Sequence, residues 1–322
     1  MSEPEILTVQ IRNRARRRAV MTGMSVRHWS TPLLAAGLLA SSSACAFNID
    51  HEAYIEREEK RFPAETLVDL RLDTFDGSVE VRSWDRAEVL VEVEKRGLDK
   101  EAVSKIEVVA DRQGNTIRVD ARQKERGHVV GIGWITSPSA RLIATVPRKC
   151  NVSAHTRDGA ITLSRVEGKF ELRSGDGSVK AVETTGELTI ETGDGSITLE
   201  DVSGRIDART KDGSVNMSGT PSGLRVRTGD GSVVLRIRRG AAMTEDWSVT
   251  TGDGSIVAEL PDDFNASIEA DPGSDGRARN ELKLTSVTGG GRDNRVLRGQ
   301  LGQGGRAFRL QTGDGTIRLR GY

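Results

Sequence analysis

Bulky side chains are scarce in this chain. Six Phe, four Trp and two Tyr make up 4% of its 322 residues. That argues against a wide globular core filled by aromatics and against the aromatic girdles of an outer-membrane barrel. Only two cysteines occur, Cys45 and Cys150, too few for a disulfide framework. The four histidines, His28, His51, His128 and His155, are far apart and lack metal-ligand spacing, so they read as leader, surface or loop residues. A dominant charge is missing too: 47 basic residues balance 47 acidic ones, leaving no nucleic-acid footprint. A membrane-spanning helix needs about 20 apolar residues, and the run Thr31–Ala40 is too short for one.

That run has another reading. Arg27 and His28 precede it and the small residues Ser41–Ala46 follow, the order of a secretory signal. The Arg-rich stretch before Met21 is unusual for a signal, which suggests that translation starts at Met21 or Met24. Residues 1–46 are therefore expected to be a signal peptide. Cleavage reads in two ways. Ala44-Cys45-Ala46 fits a cut before Phe47, whereas a cut before Cys45 would leave that cysteine free for lipid attachment, with Ser42 where a Leu is usual. The stretch 47–65 is charged and weakly apolar, and is expected to be a tether. Without residues 1–46 the chain is slightly acidic, with 41 basic and 45 acidic residues.

What the chain has in abundance is glycine, 36 residues, arranged in a repeat. Asp-Gly recurs at Asp158, Asp176, Asp194, Asp212 and Asp230 in steps of 18, then at Asp253 and Asp314, with a weaker copy at Asp275 and an early one at Asp76. The fuller motif is Thr192-Gly193-Asp194-Gly195-Ser196-Ile197. A second glycine punctuates each unit at Gly168, Gly186, Gly204 and Gly223. Each unit thus holds two turns and two short strands whose apolar residues alternate, as in Leu188, Ile190 and Thr192. Such a pair cannot bury its apolar face alone, whereas stacked copies bury a continuous narrow core. The expected fold is all-β: a single-chain β-solenoid of 18-residue coils at 150–322, with irregular β coils at 66–149 forming an N-terminal cap.

Three local expectations follow. The charged stretch Leu98–Val109 holds one short helix. The five-residue expansion around Met243–Trp247 loops out of the stack. The last coil puts Arg306, Arg309, Arg318 and Arg320 near an open end, where charge blocks strand addition.

The repeated TGDGS turns, the stretch Phe75–Asp85 (FDGSVEVRSWD) and the stretch Asp246–Ile256 (DWSVTTGDGSI) resemble the bacterial putative-adhesin family of β-strand repeats, a domain of unknown function. The resemblance covers roughly Thr66–Arg320 and implies a cell-surface β-repeat protein. It supplies no catalytic residue.

No catalytic site and no cofactor is expected. The aspartates Asp158, Asp176, Asp194, Asp212, Asp230, Asp253 and Asp314 would stand in a row about 4.8 Å apart. The structural reading is that each carboxylate accepts bonds from the backbone of its own turn; the functional one is a calcium ladder. A carbohydrate-active enzyme would need a carboxylate pair about 5 Å apart that breaks the repeat, yet every Asp sits in an equivalent turn. Ser in D-G-S has no histidine partner, and Gly289–Gly305 has no phosphate-loop Lys. Cys150 reads as a buried, inert thiol. Trp84, Trp134 and Trp247 are candidates for a sugar platform or, equally, for caps on the core ends, and Gly131–Ile135 for an apolar contact patch. The expected partner is an envelope protein or polysaccharide, with membrane contact through a lipid anchor if Cys45 is acylated. A self-assembling structural protein and a carbohydrate-active β-helix enzyme are the alternatives.

Overall fold

The computed structural model describes residues 53–64, 66–124, 137–290 and 295–322, together with the backbone of 9–10. The leader with Cys45 and His28, and also His51, His128 and the Gly131–Ile135 patch with Trp134, fall outside the described residues. The protein is all-β. Among the described residues every regular element is a strand except one five-residue helix, Lys100–Ser104, and the strands join in one hydrogen-bonded sheet that nearly closes on itself. Asp99 caps the helix by accepting from the Ala102 amide at 2.8 Å. From Ile106 the chain continues as a strand, Ile106–Gln113.

The strands form because apolar and polar residues alternate. In Thr185–Thr192, Leu188, Ile190 and Thr192 are buried while Glu187, Thr189 and Glu191 are exposed. Two ladders result, and each layer of the molecule supplies one strand to each. In the middle they are parallel and step by 18 residues: Ile161 pairs with Val179, then Ile197, Val215 and Val233. In the other ladder Phe170 pairs with Leu188, Ile206 and Leu224. The inward residues of both ladders make one cluster, and all of them are buried. Fully burying one such aliphatic side chain is worth roughly 1.5–3 kcal/mol.

At both ends spatial order departs from chain order. The layer made by Val68–Thr74 and Val79–Trp84 lies between the layer at 150–164 and that made by Thr116–Gln123 and Ser139–Pro147. The chain lays down this layer, crosses to its outer side, and returns to build on its inner side. At the other end, Ala307–Thr312 and Thr316–Gly321 slot between the layer at 247–260 and that of Ala266–Asp271 and Arg277–Asn280. The last segment is therefore an interior layer, and the expectation that it forms an open end is corrected. An inserted strand satisfies both of its hydrogen-bonding edges, which a terminal strand cannot do.

The expected tether is also corrected. Tyr54–Pro63 is a ten-residue strand, antiparallel to Glu88–Gly97 over its whole length. Its charges pair locally, as in Arg57 with Glu94 at 2.8 Å, and Phe62 is buried. The expansion before Trp247 does not carry that residue outward either. Trp247 is fully buried, its ring edge-on to Phe308 and tilted on Phe264, and its indole N–H donates to the Ser222 carbonyl at 3.3 Å. Nearby, Asp246 accepts from the Ala307 amide at 3.0 Å and from Arg309 at 3.2 Å, fastening the expansion to the inserted layer.

Candidate functional site

The recurring corner of the stack is the TGDGS turn. Its buried member is the residue that opens it: Thr156, Ser174, Thr192, Thr210, Thr228, Thr251 and Thr312 are all nearly inaccessible. Each hydroxyl donates to a glycine carbonyl of the preceding layer, from Thr156 on Gly77 and Ser174 on Gly159 to Thr251 on Gly231 and Thr312 on Gly254, at 2.7–2.9 Å. Several also accept from the amide three residues on, as Thr210 does from Gly213 at 3.2 Å. The column of glycines is dictated by close approach. A Cβ on Gly213 would overlap the Gly195 carbonyl below it. At the opposite corner Gly186, with φ of 138°, adds a backbone conformation that L side chains rarely adopt.

The aspartates do not play the part expected of them. Asp158, Asp176, Asp194, Asp212, Asp230, Asp253 and Asp314 point outward and are exposed. Among the described residues their carboxylates take part in no hydrogen bond or ion pair, so the turn is held by Thr and Gly rather than by Asp. Nor do they converge: no group of three or more His, Cys, Asp or Glu side chains among the described residues could hold a metal ion. Asp76 extends the row on the far side of Asp158. Partial burial, then the neighbouring Asp158 charge, raise its pKa above the usual carboxylate range, opposed by a backbone hydrogen bond from Gly77. The signal for the Thr column was present in the sequence, since the residue preceding each G-D-G is Thr in most copies.

The remaining candidates scatter. Cys150 has no exposed surface, contacts the Val68 carbonyl at 3.5 Å, and burial pushes its thiol up to about 12. His155 is exposed beside Asp73 at 3.8 Å. The two described tryptophans of the expected platform do not share a surface: Trp247 is core, and the Trp84 ring is covered by Arg86 at 4.9 Å. Trp84 does border a surface cleft of about 410 Å³ lined also by Arg148, Arg165, Glu167 and Glu183. No described helix is long and apolar enough to cross a membrane.

Comparison with known proteins bears on the whole stack. A family model described as Toastrack DUF4097 matches residues 68–320. No curated protein matches the chain. Among solved structures, a "putative adhesin" from Parabacteroides merdae aligns at 11% identity and a TM-score of 0.39, covering 82% of this chain and 95% of its own. Another from Parabacteroides distasonis aligns at 11% and 0.38, covering 84% and 98%. A "putative lipid binding protein" from the same species aligns at 12% and 0.33, covering 82% and 96%.

Proposed function

This chain belongs to the Toastrack DUF4097 family, and from that premise we propose that it is a non-enzymatic binding module of the cell envelope, a β-solenoid that presents its outer faces to a polymer or a protein. One observation carries the reading. The residues that could do chemistry, the turn aspartates, occur in equivalent positions of successive layers, whereas an active site needs local departure from equivalence. A repeated, charged outer surface on a rigid stack suits recognition of an extended partner.

Export fits the same reading. The run Thr31–Ala40 followed by Ser41–Ala46 is a secretory leader, and Cys45 is the candidate lipid attachment point. Discrete molecules are favoured over filaments. Six of the ten residues in Tyr54–Pro63, whose outer side pairs among the described residues only with 9–10, are charged, and the edge strand Arg277–Asn280 at the other end carries two arginines.

The test is intact mass spectrometry of membrane and secreted fractions from the native host, beside a Cys45→Ser variant, with adherence scored for cells with and without the protein. An acylated chain beginning at Cys45 supports an anchored module, and an unmodified chain beginning at Phe47 a released one. A cytoplasmic chain that keeps residues 31–44, or adherence indifferent to the protein, would sink the proposal.

A further inference from the structure

On the outer face of the stack, charges on adjacent strands are mostly matched. Lys169 faces Glu187 at 3.1 Å, Arg173 faces Glu191 at 3.4 Å and Lys180 reaches Glu200 at 2.8 Å. Like charges directly opposite each other destabilise a sheet, so their avoidance is what folding alone would select. Several in-register pairs break the pattern. Glu59 opposite Glu92, Arg71 opposite Arg118 and Asp73 opposite Asp120 lie in the N-terminal layers, where Arg61 pairs with Glu59 and Arg118 with Asp120, each at 3.1 Å. Another is Arg279 opposite Arg318. It lies beside the edge strand Arg277–Asn280, where positive charge has a structural use in discouraging strand addition.

The one pair within the regular middle layers has no such use. Arg209 stands opposite Arg227 in the middle of the stack, with strands paired on both sides. Arg225 lies two residues along the same strand and faces outward with Arg227. Both are exposed, and neither makes an ion pair or side-chain hydrogen bond among the described residues. The strand beyond offers them only Ser248 and Thr250. Arg209 shares its charge with Asp207 at 2.8 Å. Asp207 stands opposite Arg225 in register but makes its ion pair with Arg209, and Glu191, Asp212 and Asp230 border the patch without an ion pair to Arg225 or Arg227.

We propose that Arg225 and Arg227, supported by Arg209, form a binding site for a linear polyanion, a chain bearing phosphate or carboxylate groups, laid across the outer face. Guanidinium forks match such oxyanions in pairs. The spacing suits a polymer: about 4.8 Å between Arg209 and Arg227 across the strands, and roughly 7 Å between Arg225 and Arg227 along one. The bound anions would relieve the repulsion that the empty face carries. This inference rests on the binding-module reading and names its ligand class.

The experiment is fluorescence anisotropy of labelled long-chain polyphosphate titrated with the full chain at low and physiological salt. The double change Arg225→Gln/Arg227→Gln should weaken binding about tenfold or more and flatten its salt dependence, whereas Arg277→Gln/Arg279→Gln at the edge should leave it within about twofold. Arg227→Glu, which sets an opposite charge beside Arg209, should abolish binding while leaving the melting temperature unchanged or higher, so lost binding cannot be ascribed to misfolding. The site is overturned if the wild type does not bind, if both double variants lose binding alike, or if the protein binds vesicles containing phosphatidylglycerol but not the soluble polymer. Polyanion binding by the purified protein, combined with adherence indifferent to it, would remove the cellular role and leave the site standing.

Discussion

The middle and the ends of this molecule solve the same packing problem in opposite ways. In the middle each layer rests on the one made 18 residues earlier, and the hydroxyl–glycine hydrogen bonds repeat from Ser174 to Thr228. At the ends the chain pairs out of order, and Thr312 donates to Gly254 across 58 residues of sequence. Repetition makes a stack that has no natural stop; insertion of a late or early segment closes it. The regular layers supply the surface, and the irregular ones keep it finite.

The sharpest way to break this comparison is to remove residues 307–322. Their loss strips the interior burial of Phe308, Leu310, Ile317 and Leu319, on the order of 10 kcal/mol by area, and hydrogen exchange should show the layers at 247–301 opening. Removing Tyr54–Pro63, which buries little beyond Phe62, should cost far less. Similar exchange in both truncations would refute the insertion.

In the middle, Leu188→Asp places an unpaired charge in the core and should cost about 4 kcal/mol, whereas Arg225→Glu on the outer face should stay within about 0.5 kcal/mol. Equal losses of melting temperature would overturn the inward and outward assignment. Next in size, Thr210→Val keeps the shape but strands the Gly195 carbonyl and the Gly213 amide. We expect a loss of about 1–3 kcal/mol in urea unfolding, against almost none for the exposed Thr189→Val.

The smallest effect concerns Asp76, where an end layer meets the regular stack. Its pKa is raised in the folded state, so the native protein holds that proton more tightly than the unfolded chain does. This contribution favours folding below the ordinary carboxylate value of 3.8 and is lost as pH rises through the raised folded value. Asp76→Asn should therefore raise the melting temperature slightly at pH 7, with the gain vanishing in acid. A gain independent of pH would remove the electrostatic explanation.

The regular layers were legible because one period carries both alternation and turn chemistry, so Ile197, Leu199 and Thr210 announce their places. The roles inside the turn were less so. Asp is the most conspicuous letter of the motif, but the buried hydrogen bonds belong to Thr, and nothing in T-G-D-G says which side chain points inward. The order at the ends was not legible from alternation, since Ala266–Asp271 and Ala307–Thr312 alternate equally well. A faint signal existed: the corner after Ala270 offers Pro272, which cannot make the Thr-type bond, while Thr312 can. A charged strand such as Tyr54–Pro63 reads as a tether because its stabilisation lies in pairing with Glu88–Gly97, forty residues away at its far end.

The inserted final layer bears on how the chain reaches this state. The middle can zip up locally, because each new layer closes a loop of only 18 residues. The slot between 247–260 and 266–280 can be filled only when residues 307–321 arrive, closing a loop of about 60 residues and completing two ladders at once. Long closures are slow relative to local ones. The kinetics should therefore divide into fast propagation and a late locking step, with the apolar sides of Trp247 and Ile268 left uncovered in the interval. Any chain released or translocated C-terminus last remains an open structure until its final residues emerge.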